Sequence, residues 1–254
     1  MHPVVTTLHL GGVTLPIYSY GLLVAWGAAI GAGWWLFALC KQGHDPGEGI
    51  AILGATACGA LLGARGLGWW VALAEAGQGS GGLVFYGGLL GGALAGWVAV
   101  LRLGWPVGVA ADAAALPLCI GHAVGRLGCL LGGCCYGKPF TGPWAIRYPH
   151  FLTHHAAGVL RHPVPVYEAC LLCLLAVALG RAHANHGPGG RALHYLWGYG
   201  ALRFAVESLR GDAERGLLWG GLLSTSQAIG AGMMVLALVA LAWRRPDRWG
   251  TPGP

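Results

Sequence analysis

Seven apolar runs alternate with short polar stretches along the chain: Ile17–Cys40, Ile50–Ala74, Leu83–Leu101, Val107–Tyr136, Val164–Leu179, Ala192–Leu209 and Leu222–Trp243. A helix of ~20 apolar residues crosses the ~30 Å hydrocarbon layer of a bilayer, and each run meets that length, the fifth on the short side. The breaks are polar and local. Lys41 and the stretch Gln42–Gly49 follow the first run, a Gly/Ser-rich turn from Gly77 to Gly82 follows the second, and Arg102 closes the third. A longer polar loop, residues 137–163, carries Lys138, Arg147, Arg161 and four histidines: His150, His154, His155 and His162. A basic Gly/Pro-containing loop joins Arg181 to Arg191. The pattern predicts an all-α, polytopic membrane protein: one domain, residues 1–254, of seven transmembrane helices.

Composition agrees with this reading. Of 254 residues, 56% are hydrophobic and 9% charged, with mean hydropathy +0.61. The 47 glycines suit close helix packing and the 12 tryptophans suit membrane interfaces. The net charge of +6 fits a chain that meets anionic lipid. No basic cluster exceeds Arg244, Arg245 and Arg248, so a nucleic-acid partner is not expected. The sixteen residues before Ile17 hold no Lys or Arg, which is not the start of a secretory signal peptide. Loop charge orients the spans. With the N-terminus outside, the inner side holds Lys41, Arg102, Arg181, Arg191, Arg244, Arg245 and Arg248; the outer side holds Lys138, Arg147, Arg161, Arg210 and Arg215.

In that orientation Tyr20, Arg65, Tyr86, Arg126, Cys129, Cys134, Cys135, Glu168, Arg203 and Glu207 all fall in the outer half of the membrane, with Asp112 the exception. Charges within apolar helices cost several kcal/mol unless paired or wet, which makes them functional candidates. Arg126 sits in an uncharged run, Ala113 to Gly137, and shares a helix side with Asp112, Cys119, His122 and Cys129. Tyr199, Arg203, Glu207 and Arg210 form a second face. The expected result is one cavity, open to the outer leaflet and net positive. It should attract an anion, and guanidinium groups hold phosphate through paired hydrogen bonds. The available anion there is a phospholipid head group.

Several motifs follow one order along the chain: Tyr20-Gly21, Gly63-Ala64-Arg65, Phe85-Tyr86-Gly87-Gly88-Leu89, Gly125-Arg126-Leu127-Gly128, His162-Pro163 with Tyr167-Glu168, Tyr199-Gly200 with Arg203-Phe204 and Glu207, and Leu223-Ser224 with Gln227. In these the chain resembles the prolipoprotein diacylglyceryl transferase family over nearly its whole length. The resemblance implies transfer of a diacylglyceryl group from phosphatidylglycerol, or another anionic phospholipid, to the cysteine thiol of a prolipoprotein or other thiol acceptor. It implies a multi-pass protein of the bacterial cytoplasmic (inner) membrane, with no cofactor. Arg126, Glu168, Arg203, Tyr86, Cys134 and Cys135 are the expected catalytic residues, and Tyr20, Arg65, Cys129, Tyr199, Glu207 and Arg210 the expected substrate-binding ones. The chain departs from the family pattern at Tyr86, where the family has His. It departs again at Cys129-Leu130 for Asn-Phe, at Gly133-Cys134 for Gly-Glu, and at Pro165 for the Ser-Gln before Tyr-Glu.

The cysteines leave alternatives open. A thiolate is a nucleophile, and neighbouring arginines favour it. Cys134 and Cys135 either attack a lipid, bind a soft metal, or shape the loop as small apolar residues; Cys40, Cys58, Cys119, Cys170 and Cys173 read as core. The loop histidines read as solvated, and the site is taken to need no metal. Two other functions fit the same residues: a thiol-based enzyme using Cys134 or Cys135 as covalent or redox nucleophile, and a non-catalytic carrier of a small anion or thiol compound.

Overall fold

The computed structural model describes residues 4–10, 13–74, 82–148, 158–182, 187–211, 216–218 and 222–243. Arg215, His150, His154, His155 and the Arg244–Arg248 tail lie outside the described residues, as does most of the expected Gly77–Gly82 turn. Seven helices account for nearly all the regular structure: α1 (Ser19–Cys40), α2 (Pro46–Ala74), α3 (Phe85–Arg102), α4 (Val107–Gly132), α5 (Val164–Arg181), α6 (Gly190–Glu207) and α7 (Thr225–Trp243). All except α6 are long and apolar enough to cross a membrane. The chain is therefore a multi-pass membrane protein. Its helices leave large apolar side chains such as Trp26, Trp70, Leu90, Leu174 and Leu236 exposed, as a surface solvated by lipid requires.

The described residues fall into two compact units. One comprises residues 1–31 and 114–254, the other residues 32–113. In the second unit α2 and α3 run so close that a Cβ on Gly63 would strike the Gly87 carbonyl. Asp45 caps α2 through its Oδ2, which accepts the Glu48 amide at 2.9 Å, ahead of a proline that opens the helix. Trp105 donates from its indole to Glu48 at 2.7 Å and stacks on Trp35, whose own indole donates to the Ala110 carbonyl at 3.0 Å.

In the other unit α5 and α6 enclose the second half of α4. Ala123, Ala169 and Leu172 form a buried patch with Tyr199 and Leu202 against it. Helices α6 and α7 meet at Gly200 and Gly230, where an added Cβ on Gly200 would stand 2.6 Å from the Gly230 carbonyl. The start of α7 is a capping box: the Ser224 Oγ accepts the Gln227 amide at 3.1 Å, and the Gln227 Oε1 accepts the Ser224 amide at 3.0 Å.

Several expectations are corrected. The N-terminal stretch is a β-hairpin, β1 (Val4–Leu10) with β2 (Val13–Tyr18), so Ile17 belongs to a strand and the first helix starts at Ser19. The Val, Thr and Ile content of the two runs flanking Gly11-Gly12 favours strands locally. Helix α4 stops at Gly132, short of Tyr136, because Gly133 takes φ 72° and turns the chain back. In the described part of the following loop, β3 (Ile146–Arg147) pairs antiparallel with β4 (Leu160–Arg161). Before α7, β5 (Leu217–Leu218) pairs with β6 (Leu223–Ser224). Cys119 is buried as expected, but Cys58, Cys170 and Cys173 face outward rather than into a core.

Candidate active site

The site grows from three helix segments that each contribute a charge. Glu168 lies in the first turns of α5, a helix opened by Pro163 and Pro165. It is 1% exposed. Its Oε1 stands 2.8 Å from the Arg126 Nη2, at the C-terminal end of α4, and its Oε2 stands 3.9 Å from the Arg203 Nη1 on α6. Arg203 pairs with Glu207 one turn later, at 2.7 Å, and donates to the Ser226 Oγ at 3.0 Å. Arg210 Nε lies 3.9 Å from the Glu207 Oε2. Tyr199 reaches Arg126, and the His122 ring lies against Tyr199 with its Nε2 3.8 Å from Glu168. Three guanidinium groups thus meet two carboxylates, almost wholly shielded from solvent. The Arg126 Nε finds no hydrogen-bond acceptor among the described residues, and neither does the Arg203 Nη1.

Arg210 is held by backbone, not by helix. Backbone hydrogen bonds tie the segments at residues 137, 162 and 210 together: Gly137 N–H donates to the His162 carbonyl at 3.1 Å, Lys138 N–H to Leu209 at 2.8 Å, and Gly211 N–H to Tyr136 at 3.1 Å. A Cβ on Gly211 would stand 2.5 Å from the Gly137 carbonyl, so only glycine fits there. Arg161, buried, donates to that same carbonyl at 3.2 Å and lies over the Tyr136 ring.

The thiols sit at the end of α4. Gly133 N–H donates to Leu130 and Cys134 N–H to Cys129, the paired bonds of a Schellman motif with Gly133 in the left-handed position. In that motif the residue after the glycine returns to the residue five before it, so Cys134 meets Cys129. Cys135 then takes φ 58°, the one positive φ among described non-glycine residues, and its Sγ accepts from the Arg126 Nη1 at 3.7 Å. Hydrogen bonds from Cys129 and Cys134 hold the Cys135 thiol below its ordinary pKa, and Arg210 and Arg126 add to that.

Of the residues singled out in the sequence, Arg126, Glu168, Arg203, Glu207, Arg210 and Tyr199 converge in one cluster, with Cys135 at its edge. Tyr20 packs on Gly128 and Gly132 of α4. Arg65 lies over the Trp69 ring, and Tyr86 makes an edge contact with Phe85; both belong to the unit of residues 32–113. Sequence reasoning missed Ser226 as a partner of Arg203, although the Ser-x-x-Gln capping box marks that turn. It also missed Tyr148, fully buried beside the thiols, whose hydroxyl burial pushes above the usual tyrosine range.

These features define a class: a polytopic membrane protein with an arginine–carboxylate cluster enclosed by apolar helices and flanked by free thiols. The family described as prolipoprotein diacylglyceryl transferase matches residues 6–243, and the chain belongs to that family of transferases. Curated relatives named phosphatidylglycerol–prolipoprotein diacylglyceryl transferase include that of Methylococcus capsulatus, 35% identical over 64% of this chain and 61% of its own length. That of Gloeobacter violaceus is 34% identical over 72% of this chain and 68% of its own length. A relative in Clostridium perfringens, named as the second such transferase, is 30% identical over 87% of this chain and 88% of its own. The matched stretch thus spans less than two thirds of the Methylococcus protein and most of the Clostridium one.

Proposed function

We propose that the protein transfers a diacylglyceryl group from phosphatidylglycerol to the cysteine thiol of a prolipoprotein. The observation that carries this reading is the buried cluster of three arginines and two carboxylates, with guanidinium N–H donors left over. A net charge of about +1 enclosed by apolar helices is costly unless an anion completes it. Arg126 and Arg203 hold the phosphate, and Glu168 and Glu207 fix their planes. Transfer breaks the bond between the glyceryl carbon and the phosphate oxygen and forms a carbon–sulfur bond. The thiol proton goes to a base, and glycerol 1-phosphate departs with its charge stabilised by the arginines. His122, whose Nε2 lies 3.8 Å from Glu168, takes that proton in this reading, in a chain that carries Tyr86 where the family has His.

The spans are read as seven in one domain. Helix α6 joins the six apolar ones because its charged face is turned into the cluster, which removes the cost of meeting lipid. With the N-terminus outside and the C-terminus in the cytoplasm of a bacterial inner membrane, the cluster opens to the outer leaflet, where both substrates reside. A covalent role for Cys134 or Cys135 is disfavoured by chemistry: the thioether formed by attack on a glyceryl carbon is a poor leaving group, so the lipid would stay on the enzyme.

The test uses purified protein in detergent, labelled phosphatidylglycerol and a lipobox peptide. Thioether-linked lipid on the peptide is expected. Arg126→Ala and Arg203→Ala should each lower turnover by ~10²–10³, the effect of losing one contact to developing charge. Arg147→Ala, on the exposed ribbon, should leave it unchanged. A wild type that leaves the peptide unmodified, or an Arg126→Ala protein of normal rate, would overturn the reading.

A further inference from the structure

The thiols at the end of α4 form a compact group that the proposed transfer mechanism does not use. The sulfurs of Cys129, Cys134 and Cys135 all lie within 4.8 Å of one another, and none is in a disulfide. Their proximity is built by the backbone. The Schellman turn at Gly133 returns Cys134 to Cys129, where helices usually place an apolar contact. The left-handed φ of Cys135 then brings the third sulfur back to the same point. Left-handed backbone at a residue other than Gly, Asn or Asp is uncommon and costs roughly 1–2 kcal/mol, so the arrangement is held against a local preference. It is not ordinary core packing, because Cys134 is exposed and Cys135 half-buried.

A second observation points to a ligand. Tyr148 is 0% exposed, and its hydroxyl has no hydrogen-bond partner among the described residues. It lies within electrostatic reach of all three thiols. A buried, unpaired hydroxyl costs ~1–3 kcal/mol and normally has a partner. A metal-bound thiolate is an acceptor for such a group, in the way that outer hydrogen bonds orient metal ligands.

The dimensions fit. Zinc–sulfur bonds of ~2.3 Å place sulfurs ~3.8 Å apart in a tetrahedral arrangement and ~4.0 Å apart in a planar three-coordinate one. The observed limit of 4.8 Å needs a closure of under about 1 Å, within the rotamer freedom of thiols on a turn. The donor set is all sulfur, which selects soft ions over Ca²⁺ or Mg²⁺. A divalent ion on three thiolates carries one net negative charge, and Arg126, already donating to Cys135, is placed to balance it. The vicinal pair Cys134-Cys135 with Cys129 five residues earlier supplies the three ligands from one turn.

We propose that Cys129, Cys134 and Cys135 form a three-thiolate site for a soft divalent metal ion of the zinc type. The ion ties the C-terminal turn of α4 to the loop that supports Arg210, with Tyr148 as its outer hydrogen-bond donor. Binding releases the thiol protons it replaces. The site does not depend on the transferase reading, because its readout is metal bound rather than lipid turned over.

The experiment uses the full chain, purified in detergent, chelator-stripped and kept reduced. Cd²⁺ is titrated, and the ultraviolet thiolate-to-metal charge-transfer band is followed. One Cd²⁺ per chain is expected, displaced by Zn²⁺, with a rise in Tm as metal stabilises the folded state. Cys134→Ser and Cys135→Ser should each weaken binding by more than ~100-fold, and Tyr148→Phe by ~10-fold, the lower end of outer-partner losses. Cys58→Ser and Cys170→Ser should match wild type. Should Cys129→Ser fail to fold, X-ray absorption of zinc-loaded wild type provides the check, with three sulfur neighbours at ~2.3 Å expected. Absence of a charge-transfer band in wild type, stoichiometric binding by the Cys134→Ser/Cys135→Ser double variant, or a zinc shell with fewer than three sulfurs would overturn the proposal.

Discussion

Replacing Glu168 by Gln keeps the shape of the side chain and removes its charge. The carboxylate stands 2.8 Å from Arg126 and 3.9 Å from Arg203, at 1% exposure. At the effective dielectric of ~20 that describes such sites, these distances correspond to roughly 6 and 4 kcal/mol of attraction. Desolvation of the carboxylate offsets several kcal/mol of that sum. The net loss on breaking the network is then about 3–5 kcal/mol, the range found when one partner of a buried pair is removed. At ~2–4 °C per kcal/mol for a chain of this size, Tm should fall by roughly 6–20 °C. Below that Tm, the rate should still drop by ~10², because Arg126 and Arg203 lose the group that fixes their planes, and a displacement of ~1 Å in a positioning group costs about that much. The assays are thermal unfolding in detergent and transfer to a lipobox peptide at a temperature where the variant is folded. A Glu168→Gln protein with wild-type Tm and wild-type rate would refute the network as the frame of the site.

Three further outcomes follow from the same structure. His122→Gln should slow transfer while leaving binding of phosphatidylglycerol vesicle lipid intact, measured as a fall in kcat with little change in KM; a normal kcat would remove His122 as the base. Gly211→Ala should lower Tm by an amount equivalent to ~1–3 kcal/mol, because the added Cβ meets backbone atoms of Gly137 and Lys138 at 2.5–2.8 Å; an unchanged Tm would show that the bridge can open freely. Cysteine labels placed at position 142 and at position 248 should react from opposite sides of the membrane, and labelling of both from one side would end the seven-span reading.

The helices were legible in the sequence because membrane helices need long apolar runs, and those runs are local. Helix α6 was read from its apolar run Ala192–Leu209 as well, although it is the one helix of the seven not apolar enough by composition to cross a membrane. The polar residues of the cluster could also be named in advance, since a charge in an apolar run is conspicuous. The N-terminal hairpin left only a weak local signal, two short β-branched runs around Gly11-Gly12, and apolar continuity to Tyr136 hid the end of α4 at Gly132-Gly133. Sequence could not decide pairing. That Glu168 bridges Arg126 and Arg203 depends on how α4, α5 and α6 pack, and no spacing along one helix encodes it. Arg210 follows Glu207 by three residues, as its spacing suggests, but its backbone bridge to Gly137, seventy-three residues earlier in the chain, comes from long-range pairing. Tyr148 beside the thiols likewise follows from a loop closed by backbone hydrogen bonds between distant segments. Local chemistry determined which residues were unusual; long-range packing and hydrogen bonding decided which of them meet.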